Sequence, residues 1–145
     1  MANEATIRSS LQIQQGEVDY SSRPAAFTAT VTGSKGPTPG AVLCSTAGTD
    51  IDLTELTTPS LCRIQNLDAA NRVEVGIWDP ETSKFYPLLE LLAGESYVVR
   101  LCRLLGWEYG TGTGAGTGTT GPNTNRLRIR ANTAACNVLV EAFEI

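Results

Sequence analysis

The chain has 145 residues, enough for one domain of ordinary size with a real core. It is 41% hydrophobic and 18% charged, with net charge −4 and a pI near 4.8, a balance that invites neither nucleic acid nor anionic lipid. It has no histidine, which removes the Ser-His-Asp and Cys-His nucleophile systems and the commonest metal ligand.

Apolar residues recur with period two through most of the chain, the signature of half-buried strands. Residues 6–13 read as a first strand, with Ile7, Leu11 and Ile13 apolar. In the next, Phe27, Ala29 and Val31 point one way and Thr28, Thr30 and Thr32 the other. Residues 33–40, Gly-Ser-Lys-Gly-Pro-Thr-Pro-Gly, are a turn-rich connection. A short strand follows at 41–44, and then a short segment at 51–56 with its acids exposed. The middle reads as a run of hairpins, with strands at 61–66, 72–78, 84–92 and 96–104. In it Val73, Val75 and Ile77 face inward, and Asp79-Pro80-Glu81-Thr82 is a β-turn. A helix over 88–92 would be cut short by Gly94. The last strands are 125–131 and 137–143. The final strand is expected to pair within a sheet, because an untied terminus frays.

Eight to ten such strands predict an all-β chain. The expected fold is a single antiparallel β-sandwich or jelly-roll-like domain spanning residues 1–145, with a small barrel as the variant. Its main irregularity is a long Gly/Thr-rich loop at about 106–124. Residues 110–121 read Gly-Thr-Gly-Thr-Gly-Ala-Gly-Thr-Gly-Thr-Thr-Gly. Glycine loses the most backbone entropy on ordering, so this tract should stay mobile in an isolated subunit and order only against a neighbour. Its formal GxGxxG spacing is not a dinucleotide site. Pro122-Asn123-Thr124-Asn125 leads into a strand, whereas pyrophosphate needs a helix N-terminus there.

Four features are candidate sites. The tract supplies Gly112, Gly114, Gly116 and Gly118, with Trp107 and Tyr109 just before it. Trp78 lies on the parity opposite Val73, Val75 and Ile77, so it faces outward. Arg126, Arg128 and Arg130 alternate with Leu127, Ile129 and Ala131 and form one outer row. That row either pairs with acids such as Glu141 across strands or forms a ridge for an acidic partner surface. The aromatics are either interface anchors or covers for the ends of a sandwich. Cys44, Cys62, Cys102 and Cys136 form no CxxC pair and read as small buried hydrophobes, with one or two disulfides as the alternative. No apolar run reaches the roughly 20 residues of a membrane span. Residues 1–5 lack a signal-peptide pattern, so assembly in a cytoplasm is expected. No cofactor or metal is expected.

Three stretches carry a resemblance. They are Leu61-Cys-Arg-Ile-Gln-Asn-Leu-Asp-Ala-Ala-Asn-Arg-Val-Glu-Val-Gly-Ile-Trp78, Pro87-Leu-Leu-Glu-Leu-Leu-Ala-Gly-Glu-Ser-Tyr-Val-Val-Arg-Leu101, and Leu127-Arg-Ile-Arg-Ala-Asn-Thr-Ala-Ala-Cys-Asn-Val-Leu-Val-Glu-Ala-Phe143. Together they resemble small β-rich virion proteins of tailed bacteriophages. In those proteins an "NLD…N.VEVG" hairpin precedes an "L..GE…RL" hairpin. The resemblance covers roughly residues 60–104 and 125–145. It implies a non-enzymatic virion structural protein, a capsid decoration (cement) protein. The alternatives are a tail or neck component or a carbohydrate-binding β-sandwich module. The implied partners are copies of the chain itself and other virion proteins, major capsid or tail. Neither nucleic acid nor membrane is implied.

Overall fold

In the computed structural model the described residues are 4–31, 36–57, 59–101 and 126–144. Twelve strands and no helix occur among them. Backbone contacts divide the chain into two units, Met1–Thr32 and Gly33–Ile145.

The first unit holds β1 (Glu4–Ile7), β2 (Leu11–Gln15), β3 (Val18–Ser22) and β4 (Phe27–Thr30). β1 pairs antiparallel with β4, and β2 with β3. The stretch 6–13, expected as one strand, is two. Residues 8–10 separate them, and the second turns back through Gly16 and Glu17. Gly16 has φ +58 at the first position of that two-residue turn, where a hairpin needs a left-handed residue. β3 was not legible, because Val-Asp-Tyr-Ser-Ser offers only two apolar residues. Register places Leu11, Ile13, Val18 and Tyr20 on one face, and Gln12, Gln14, Asp19 and Ser21 on the other. The apolar face is exposed, from 44% at Ile13 to 58% at Val18. Phe27 is also exposed rather than half-buried as its alternation predicted. Two-stranded ladders bury too little on their own to be robust.

The second unit is an antiparallel β-sandwich. One sheet has the order β10 (Ser96–Arg100), β7 (Pro59–Asn66), β12 (Cys136–Glu144), β5 (Thr38–Cys44). The other has the order β6 (Thr49–Asp50), β11 (Arg126–Ala131), β8 (Val73–Asp79), β9 (Lys84–Leu91). Their inner faces share one core. Cys62, Ile64, Val138 and Val140 come from the first sheet, and Val73, Val75, Leu127 and Ile129 from the second. Burial alternates residue by residue along β11 and β12, as period two demands. Val73 and Val75 are buried and Ile77 packs against the core, as their parity predicted.

Several sequence expectations change. Of the connections expected as hairpins in the middle of the chain, only β8–β9 is one. β7 and β8 lie in different sheets, as do β9 and β10, and β11 and β12. Alternation tells which face of a strand is buried but not which strand lies beside it. Pro39 and Gly40 lie inside β5, where an edge strand tolerates a missing N–H. The short segment at 51–56 keeps its acids, Asp52 and Glu55, exposed as expected. It forms a loop that lays Ile51, Leu53 and Leu56 onto the core. The strand expected at 84–92 is borne out, for β9 runs unbroken through Leu91 with no helix at its end. The last strand does pair within a sheet, as expected, and on both sides, between β7 and β5.

Candidate functional site

The arginine row lies on the outer face of the second sheet. β11 buries Leu127, Ile129 and Ala131, which turns Arg126, Arg128 and Arg130 outward. Antiparallel register sets Arg126 opposite Trp78, Arg128 opposite Gly76, and Arg130 opposite Glu74. On the other flank, Arg128 faces Asp50 of β6. Trp78 therefore faces outward, as its parity predicted, and Phe85 of β9 stands beside it.

These side chains interlock. Asp50 accepts from Arg126 Nη1 at 2.9 Å and also from Arg128 Nε. Glu74 Oε2 accepts from Arg130 Nε at 2.8 Å and Nη2 at 2.6 Å. The Arg128 guanidinium lies 3.8 Å from the Trp78 ring centroid, within cation–π range. The Arg130 guanidinium lies 4.9 Å from the Phe85 ring centroid. The three guanidiniums are thus met by two carboxylates and two rings. The pairing alternative for this row is what the structure shows, with Asp50 and Glu74 as the acids. Glu141 instead pairs with Arg63 on the first sheet, at 3.0 Å.

The electrostatics follow from the geometry. Partial burial pushes the Asp50 carboxyl up, but hydrogen bonds and charge from Arg128 and Arg126 outweigh it and leave the group below its ordinary value of 3.8. A carboxyl lowered on folding stabilises the fold above its unfolded pKa and loses that contribution as pH falls through the folded one. Asp50→Asn should therefore cost roughly 1–2 kcal/mol at neutral pH, for two charge-assisted hydrogen bonds at a partly exposed site. The gap between wild type and variant should close below pH 3.8. Urea unfolding at a series of pH values measures this. An equal gap at neutral and acid pH would remove Asp50 from the acid response.

Trp107, Tyr109, Gly112, Gly114, Gly116 and Gly118 lie outside the described residues, as does the loop expected at 106–124. The structure thus brings together Trp78 and the three arginines of the predicted set. It adds Asp50, Glu74 and Phe85, which sequence reasoning did not place on this face. Phe85 was within reach, because the turn after Asp79 folds it back beside Trp78. Asp50 was not, because its strand has only two residues.

Cys44, Cys62 and Cys136 are buried free thiols, as their apolar settings predicted. Burial pushes the Cys44 and Cys62 thiols up to about 12, which keeps them protonated while the fold is closed. Cys102 lies outside the described residues. Among the described residues no three His, Cys, Asp or Glu side chains are grouped so as to hold a metal ion.

Fold and face together define an antiparallel β-sandwich whose outer surface interlocks three arginines with two carboxylates and two aromatic rings. Comparison with protein-family models, curated proteins and solved structures finds no match.

Proposed function

We propose that this chain is a non-enzymatic structural protein that works through surface contacts, as a capsid decoration (cement) subunit of a tailed-phage virion. The observation that carries the reading is the β2–β3 hairpin. All five residues of β2 and four of the five in β3 are exposed, with the apolar ones gathered on one face. Such an element gains stability by burying that face in an assembly. The interlocked arginine face supports the same reading, since clamped side chains lose little entropy when a partner docks. The sequence resemblance supplies the virion context. Proposed partners are further copies of this chain and the major capsid or tail proteins, and the proposed location is the virion.

A carbohydrate module would use Trp78 as a stacking platform, and the Arg128 guanidinium already covers one face of that ring. That contact favours the structural reading.

The test is quantitative mass spectrometry of purified virions from the phage that encodes the chain. Hundreds of copies per particle are expected for a decoration subunit, and a dozen or fewer would move it to the neck or tail. Particles without the chain would end the reading. Leu11→Asp with Ile13→Asp should sharply reduce the copies per particle while leaving the thermal melt of the purified protein unchanged.

A further inference from the structure

We propose that Cys44 and Cys136 form an intramolecular disulfide when the folded protein meets a low-molecular-weight disulfide such as oxidised glutathione. The bond would tie edge strand β5 to central strand β12.

The register carries the argument. Cys136 is the Cα partner of Cys44, at the end of the β5–β12 ladder. Both side chains point into the core, at 4% and 0% exposure, so both lie on one face of the sheet. Directly opposed residues on antiparallel strands have Cα atoms about 4.5 or 5.5 Å apart. Both separations lie inside the roughly 4.4–6.8 Å that a disulfide spans. Cys62 has no such neighbour, because Ala142 and Val99 stand opposite it. The pairing is therefore specific to two of the three described cysteines.

The sandwich also provides a route for the oxidant. Cys136 is the first residue of β12 and follows four exposed residues, 132–135. Fraying of that end exposes Cys136 before Cys44. The Cys136 thiol gives up its proton and its sulfur attacks the glutathione disulfide. This forms a mixed disulfide and releases one glutathione thiolate, which takes a proton. The Cys44 thiol then gives up its proton and attacks the Cys136 sulfur, which expels the second glutathione thiolate, protonated in turn. In sum, two protein thiols are oxidised and one glutathione disulfide is reduced to two thiols. The closed loop holds β6 through β11, so the cross-link removes much freedom from the unfolded chain.

The experiment uses the full chain. The protein is incubated with excess oxidised glutathione, in buffer and in urea just below the unfolding transition, where the strand end opens. Free thiols are then blocked with N-ethylmaleimide under denaturing conditions, and peptides are mapped without reduction. The expected result is one linked peptide pair carrying Cys44 and Cys136, with Cys62 alkylated. The urea midpoint of the oxidised protein should rise, and dithiothreitol should return it. Cys62→Ala should keep both effects, and Cys136→Ser should lose both. Alkylation of both Cys44 and Cys136 in both incubations would overturn the proposal. So would separate glutathione adducts on the two residues, or a link from either to Cys62 or Cys102.

Discussion

Asn66→Ala is expected to lower the stability of the protein by about 3–4 kcal/mol, read as a fall in the urea midpoint, because several buried polar groups lose a partner together. Asn66 closes β7 and is fully buried. Its Nδ2 donates to the Asn71 carbonyl at 2.7 Å, the Leu92 carbonyl at 3.1 Å and the Leu91 carbonyl at 3.3 Å. Its Oδ1 accepts from the Asp68 amide at 3.0 Å. An amide nitrogen has only two hydrogens, so one is shared, and the longest contact is the weakest. β7 belongs to one sheet, while Leu91 ends β9 in the other. One side chain therefore fastens the two sheets and the 67–72 connection. Asn66→Asp separates donation from packing. It keeps shape and acceptor but turns a carboxylate toward the carbonyls, and should cost at least as much at neutral pH. Wild-type stability in Asn66→Asp would show that the donated bonds contribute little.

The surrounding motif has the same character. Asp68 Oδ1 accepts from the Ala70 amide at 2.8 Å and the Asn71 amide at 2.7 Å, which folds the connection back. The Asn71 and Ala70 amides hold the Asp68 carboxyl below its ordinary range. In the second connection, the Glu95 carboxylate accepts from the Leu92 amide at 2.8 Å, and the Glu95 carbonyl accepts from the Asn66 amide at 2.9 Å. Gly94 between them has φ +78, a conformation that suits glycine. The Asn-Leu-Asp and Gly-Glu signatures behind the virion resemblance are thus devices that carry the chain from one sheet to the other. They specify an arch, and a role in assembly has to come from elsewhere on the surface.

This explains what the sequence discloses and what it hides. The ends of β11 and β12 were legible to within a residue, because strict alternation leaves little room for error. The outward parity of Trp78 and the arginines was legible for the same reason. Strand partnership was not, because a turn signal at 67–71 looks alike whether the chain returns beside itself or crosses to the facing sheet. The difference lies in Asn66, whose bonds reach Leu91 and Leu92, far along the chain. The acid partners of the arginines were hidden likewise. Asp50 and Glu74 meet β11 only because β6 and β8 flank it, whereas Glu141 lies across the sandwich in the other sheet. The first unit misled most, since alternation at Phe27 implied a buried face that its two-stranded ladder does not supply.

Gly76→Ala is the second large effect, at about 3 kcal/mol of destabilisation, the upper end of what overpacking costs. β9 carries one extra residue opposite β8. Leu89 pairs with Val75 and Pro87 with Gly76, so Leu88 is left without a partner, 68% exposed. At this irregularity the β9 backbone lies close against Gly76. A Cβ there would stand 2.1 Å from the Tyr86 carbonyl oxygen and 2.7 Å from Pro87 Cα. Both obstacles are backbone, so no side-chain rotation relieves the clash. Relief requires β9 to move outward, which would carry Phe85 away from Arg130 and loosen the face that Trp78 and the arginines form. The variant should therefore lose stability and show altered tryptophan fluorescence before the main unfolding transition. Deleting Leu88 in the Gly76→Ala background tests the cause. Without the extra residue β9 can pair in regular register, and part of the lost stability should return. If the deletion gives no recovery, the bulge is not what makes glycine necessary at this position.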